Sequence, residues 1–215
     1  QMSQQMKTVL GQESAEIIPY GIDLERFRPL ERDVSRQKLS LDRDAPILLF
    51  PYDPARKIKR FSLATAAVEI LKLEFPNIQL IAIHERPYEH IPLYMNACDA
   101  LIMTSRSEGA PVAIREAMAC NLPIASVDVG DVASVVGKTD NCAIVDAEPE
   151  TIANSISKIL RTGRRSNGRE FAAEMSVSSF AGSVAKIYEQ LGSRSKLDVL
   201  EPQLQPQLPK QKPKI

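Results

Sequence analysis

The sequence predicts an α/β domain with a doubly wound, parallel sheet. Three observations carry this. Short, continuous apolar runs such as Pro46–Pro51 recur without polar alternation, as strands covered on both faces require. Segments with apolar residues at helical spacing fall between those runs. Pro, Gly and Asn punctuate the joints, and a regular strand–helix alternation implies parallel strands joined by right-handed crossovers.

The elements follow in chain order. Glu16–Pro19 reads as a short strand entering a turn at Tyr20–Asp23. Pro46–Pro51 is a buried strand bounded by prolines. After a basic loop, Phe61–Phe75 is helical, with Leu63, Ala67, Ile70 and Leu71 near one stripe. Ile78–Ile83 is a strand, Ile91–Ala97 a short helix and Ala100–Met103 a strand. A helix over Pro111–Cys120 ends at Asn121, a residue that tolerates the left-handed position after a helix. Pro123–Val127 is a strand, Asp131–Val136 a short helix and Cys142–Val145 a strand. Helices over Glu150–Arg161, Asn167–Met175 and Val177–Leu191 close the domain. Residues 1–15 are expected to be a linker or helix end, 16–192 one Rossmann-like domain, and 193–215 a disordered Pro/Gln/Lys-rich tail.

Composition narrows the function. The chain has 215 residues, 44% hydrophobic, and 27 basic residues balance 27 acidic ones. That balance argues against a nucleic-acid binder driven by phosphate neutralisation. No apolar run is long enough for a transmembrane helix, and the first residues lack an apolar signal core. Cys98, Cys120 and Cys142 form no C-x-x-C pair and read as buried, reduced thiols of a cytoplasmic protein. No Cys/His/Asp spacing suits tetrahedral metal ligation, so no metal is expected.

In open parallel sheets ligands bind beyond the carboxyl ends of the strands, which selects the loops after Phe50, Ile83, Met103, Val127 and Val145. The loop after Met103 holds Glu108, with Glu116 eight residues on. The first acid falls on a loop, the second about a turn and a half into the next helix, and both face that helix's amino terminus. Unpaired N–H groups there suit a phosphate, and carboxylates beside it suit sugar or ribose hydroxyls. Pro111 fits the first helical position, and Gly109 permits close approach of a ligand to the backbone. The loop after Phe50 carries Arg56, Lys57, Lys59 and Arg60 just before a helix, where cations are unfavourable for the dipole. Lys59 and Arg56 are the favoured diphosphate contacts, with Lys57 an alternative to either. His84 follows a strand and is placed either at the cleft near the nucleotide base or simply in a polar loop; Tyr52 is left between ligand contact and packing. Asp99 and Asp128 read as turn or cap residues.

The stretches Ile18–Pro29, Ser107–Glu116, Ala117–Ile124 and Asp128–Val132 resemble, in order, the interdomain linker and donor-binding motifs of retaining GT-B glycosyltransferases of family 4. The resemblance covers residues 16–192 and is similar to the bacterial cell-surface polysaccharide members, teichuronic acid ones included. It implies that the chain is the carboxyl-terminal, donor-binding half of a GT-B fold, with the amino-terminal acceptor domain absent from it. It implies a hexosyltransferase-type enzyme, inactive as this isolated half, using a UDP- or GDP-sugar with no cofactor and no metal. Implied partners are that domain and a saccharide or lipid-linked acceptor; implied location is cytoplasmic, with peripheral association at the inner membrane face through the same domain. Glu116 would hold the ribose hydroxyls and Glu108 would lie by the donor sugar. Backbone N–H groups near Gly109, Ala110 and Val112 would approach sugar and diphosphate. Lys59 and Arg56 would neutralise the leaving diphosphate. The sequence departs from the family where Pro51-Tyr52 replaces Gly-Arg and where Tyr20 replaces a linker Asn.

Two other functions compete. One is a non-catalytic nucleotide-sugar-binding module, or a subunit that needs a partner. The other is an unrelated doubly wound nucleotide-binding enzyme, but neither G-x-G-x-x-G nor G-x-x-x-x-G-K-[ST] occurs.

Overall fold

The computed structural model describes residues 18–193. The expected linker over 1–15, the first half of the Glu16–Pro19 strand and the tail beyond Ser193 lie outside the described residues.

Five parallel strands form one sheet: β1 Ile47–Phe50, β2 Gln79–Ala82, β3 Ala100–Met103, β4 Ile124–Val127 and β5 Ala143–Val145, in the order β2-β1-β3-β4-β5. The register is continuous, with Leu49 opposite both Ile81 and Leu101, and Met103 opposite Ser126. β1, β3 and β4 are fully buried, which is why β1 and β3 read as unbroken apolar runs and β4 is broken only by the small Ser126. β2 is an edge strand and only half-buried. On one face the Phe61–Leu71 and Pro149–Thr162 helices pack together; on the other, Arg32–Lys38 meets Ile91–Ala97, and Val112–Ala119 meets Gly168–Ala172. The core between them includes Phe50, Leu101, Ile102, Ile114 and Met118.

Most predicted elements shift only at their ends. The Phe61 helix stops at Leu71 rather than Phe75, leaving Leu73 88% exposed. The Val112 helix has Pro111 as its extended amino-terminal cap (φ −67°, ψ 115°), not as its first helical residue. Its end is as expected: Asn121 adopts φ 54°. The predicted helix over Asn167–Met175 is shorter, Gly168–Ala172, and finishes as a 3-10 turn. Ile18 and Pro19 carry no strand. Instead Ile22 makes a lone parallel bridge with Ser176: its N–H donates to Met175 (2.8 Å), and its carbonyl accepts from Val177 N–H (3.1 Å).

Arginines tie the loops to this frame, because one guanidinium offers five donors in a fixed fork. Arg36 is 1% exposed and donates to the carbonyls of Ala97, Asp42, Arg43 and Ala45 and to Asp99. Asp99 also accepts the Ile47 N–H at 2.7 Å, a bond across to β1 and not the local turn or cap expected of it. Arg169 joins Leu24 and Phe27 to Ala119, and Arg165 joins Met95, Cys98 and Cys120, each through backbone oxygens. Cys98 and Cys120 are buried and Cys142 half-buried, all as free thiols; burial pushes Cys120 up to about 12.

Candidate functional site

The strand order reverses between β1 and β3, since chain segments leave this pair toward opposite sides of the sheet. Such a switch point opens a crevice at the carboxyl ends of the two strands. The loops after β1 and after β3 meet there.

Local chemistry shapes the β1 loop. Asp53 accepts the Ala55 N–H (2.8 Å) in a side-chain turn, and Lys57–Lys59 form a 3-10 turn. Arg60 then takes the left-handed region at φ 50°, an uncommon choice for a long side chain. Its guanidinium offsets that cost by donating to the carbonyls of Thr104 (2.6 Å) and Ser105 (3.2 Å) beyond β3. Thr104 returns a bond from its hydroxyl to the Lys59 carbonyl (2.9 Å), and Arg106 N–H donates to Ile58 (2.8 Å). Arg60 therefore binds protein carbonyls and separates from its three basic neighbours.

The reversal at Arg60 leaves Lys59 pointing inward while Arg56 and Lys57 remain exposed. Lys59 is 5% exposed. Its ammonium lies 2.5 Å from Glu108 Oε1 and 3.6 Å from the centre of the Tyr52 ring. Tyr52 in turn sets its edge against Phe50, so it packs and also supports the lysine. Burial would raise the Glu108 carboxyl, but Lys59, with Ser105 and Tyr52 beside it, overrides burial and holds it below the usual carboxylate range. Burial, reinforced by the Glu108 charge, pushes the Tyr52 phenol well up.

Glu116 sits on the Val112–Ala119 helix and is 7% exposed. Burial raises its carboxyl, opposed by a hydrogen bond donated from Tyr88 Oη at 3.1 Å. Tyr88 is in the 3-10 turn Tyr88–His90 after β2 and is 51% exposed. Arg26 stands 5.0 Å over its ring, and Phe27 lies 5.7 Å away. Burial and the Glu116 charge push its phenol up to about 12.

The segment between the two acids is held from below. Gly130, at φ +62°, lies against it so closely that an added Cβ would fall 2.2 Å from the Gly109 carbonyl. Arg115, 2% exposed, forms an ion pair with Asp131 on that neighbouring loop. Gly109 is exposed, Ala110 half-buried, Pro111 buried and Val112 exposed around the helix start.

The fold thus brings Lys59 and Glu108 into contact, and sets Glu116 and residues 109–112 on the same edge. His84 is not the residue of its loop that reaches the acids. It is exposed, with Nε2 3.6 Å from Glu85, and the contact with Glu116 comes from Tyr88. Sequence reasoning passed over Tyr88, although the same strand-end rule that singled out His84 covers its loop. A cavity of about 440 Å³ lies at the opposite, amino-terminal edge of the sheet, between Pro46, Phe75, Asp99 and Arg165. Among the described residues, no cluster of three or more His, Cys, Asp or Glu could hold a metal ion, and no helix is long and apolar enough to cross a membrane.

Residues 69–175 match the family described as Glycosyl transferases group 1. That segment is a group 1 glycosyltransferase domain. It contains both Glu108 and Glu116 and begins ten residues after Lys59. The chain is similar to the protein named as teichuronic acid biosynthesis glycosyltransferase TuaC of Bacillus subtilis, 25% identical over 172 residues that cover 73% of this chain and 44% of the relative. It is also similar to D-inositol 3-phosphate glycosyltransferase of Geodermatophilus obscurus, 22% identical, covering 83% and 49%. The chain therefore spans about half the length of the curated relatives it matches. Anabaena HepE, whose crystal structure is in complex with UDP, superposes with a TM-score of 0.70 at 18% identity, over 87% of this chain and 61% of that one. The carboxyl-terminal domain of the group 1 protein LpcC from Francisella tularensis superposes with a TM-score of 0.56 at 16% identity, over 78% of this chain and 98% of that domain. The group 1 glycosyltransferase domain therefore has the GT-B carboxyl-terminal fold.

Proposed function

We propose that this domain binds the nucleotide-diphosphate sugar donor, a UDP- or GDP-sugar, of a retaining, metal-independent glycosyltransferase of family 4. The acceptor, a saccharide or lipid-linked glycan of a surface polysaccharide, would be held by an amino-terminal domain that the relatives' greater length accommodates. Transfer is of the hexosyl type and takes place at the cytoplasmic side of the membrane.

The observation that carries this reading is the buried Lys59–Glu108 pair at the switch point, with Glu116 on the helix that begins at Val112, just after Glu108. In the bound state the diphosphate lies between Lys59, the exposed Arg56 and the N–H groups of Gly109, Ala110 and Val112. Lys57 stands as an alternative to Arg56. Their charges stabilise the negative charge that develops on the leaving diphosphate, a transition-state effect that needs no covalent intermediate. Glu108, kept ionised by Lys59, lies by the donor sugar, and Glu116 accepts the ribose hydroxyls. His84, exposed on the loop after β2, stays a candidate contact for the base.

Calorimetry on the 215-residue chain with UDP, GDP and their glucose conjugates tests this. Weak binding without sugar transfer is expected, since the chain spans about half the length of the curated relatives it matches. Glu116→Ala should weaken nucleotide binding by about 1.5–3 kcal/mol, the range for hydrogen bonds to a charged group. Absence of heat with every nucleotide would overturn the donor-site reading.

A further inference from the structure

Glu116 is nearly closed off from water, yet the hydrogen bond it accepts comes from a side chain that is itself half in solvent. A buried carboxylate needs a partner, and partners of buried acids are ordinarily buried with them. Here the partner is a phenol on a three-residue 3-10 turn at the mouth of the crevice. Its ring rests on Arg26 and Phe27, so it has a resting place that does not depend on the hydroxyl. From this geometry we infer that the Tyr88 hydroxyl is an internal substitute for a ribose hydroxyl: it satisfies Glu116 when the site is empty and is displaced when a nucleotide binds.

The inference rests on the assignment of Glu116 to ribose. Tyr88 O–H and a ribose O–H offer Glu116 the same chemistry, one donor on a neutral hydroxyl. Oε1 accepts from Tyr88 at 3.1 Å from the mouth of the crevice, the side on which ribose arrives, so a ribose hydroxyl at that oxygen takes the phenol's place. Each binding event then exchanges one hydrogen bond at Oε1 and adds only the one that the second ribose hydroxyl makes at Oε2. Tyr88 thereby lowers affinity for any nucleoside diphosphate that carries ribose hydroxyls, and leaves a ligand without them unaffected. It protects the buried acid from standing alone between turnovers and favours nucleotide release.

The experiment compares wild type, Tyr88→Phe and Glu116→Ala in the 215-residue chain by calorimetry. Each is titrated with UDP and GDP and with the 2′,3′-dideoxy form of each. Phenylalanine retains the packing on Phe27 and Arg26, and far-UV circular dichroism verifies the fold. Tyr88→Phe should bind the ribonucleotide roughly three- to tenfold more tightly, the effect of one net hydrogen bond, with unchanged affinity for the dideoxy form. Glu116→Ala should bind the two forms alike. Equal or weaker ribonucleotide binding by Tyr88→Phe, while wild type still discriminates against the dideoxy form, overturns the inference and leaves the ribose assignment standing. A wild-type chain that does not discriminate overturns both.

Discussion

Replacing Glu108 by alanine strands the Lys59 ammonium. That group is 5% exposed and its carboxylate partner is 2.5 Å away. Breaking a buried ion pair from one side costs about 3–5 kcal/mol, because the remaining charge is left uncompensated. The Tyr52 ring at 3.6 Å offsets part of this, about 0.5–2 kcal/mol for a cation on an aromatic face. A net loss of about 2–4 kcal/mol is expected for Glu108→Ala. With a urea slope of about 2–3 kcal/mol per molar, the midpoint falls by roughly 1–2 M. Combining Glu108→Ala with Lys59→Met removes both charges, and most of the loss should return. The pair also sets a pH dependence. Glu108 has a lowered carboxyl in the folded chain, so its contribution is full above the ordinary carboxylate range and fades as pH falls through the lowered value. The gap between wild type and Glu108→Ala should therefore close on acidification. Urea unfolding followed by circular dichroism, at neutral pH and near pH 3, reads all of this. A double variant no more stable than Glu108→Ala would refute the reasoning, since Lys59 would then not be the stranded charge.

Other outcomes follow from the same geometry. Glu116 has a raised carboxyl, so its charged form is a burden on the fold above that value and is relieved below it. Glu116→Gln should accordingly raise the melting temperature at pH 7, with a smaller gain at pH 4; an identical shift at both would contradict this. Gly130→Ala places a methyl against the Gly109 carbonyl at a positive φ, and a loss of about 1–3 kcal/mol is expected by urea unfolding. Arg36→Met leaves four carbonyls without this donor and Asp99 with only Ile47 N–H and Arg32; a loss above about 3 kcal/mol is expected, and a wild-type urea midpoint would count against this role of Arg36.

The sheet was legible because β1 and β3 bury both faces and carry no polar residue to interrupt the pattern, and β4 carries only the small Ser126. The Arg32–Lys38 helix was not legible. The residues it buries are Ser35 and Arg36, while Val34 is 48% exposed, so apolar periodicity has nothing to report there. In the site, strand order alone puts Glu108, Glu116, Lys59 and Arg56 at one edge of the sheet, since strand ends fix where loops begin. Contact was another matter. That Lys59 turns inward and Arg60 turns toward Thr104 depends on one left-handed residue, and long cations at φ 50° leave no sequence signal. Tyr88 escaped notice because a single exposed tyrosine in a polar loop has no periodicity, and its bond to Glu116 spans 28 residues.

The bridge between Ile22 and Ser176 has a topological meaning. It closes the chain from 22 to 176 into a circuit whose two ends touch, with all five strands strung along it. A covalent join at that corner would alter no strand neighbour, so the break in the backbone is free to move. A circular permutant opened at the exposed Pro76-Asn77 turn would keep the same sheet order and the same crevice, with Lys59 and Glu108 now read from opposite ends of the gene product.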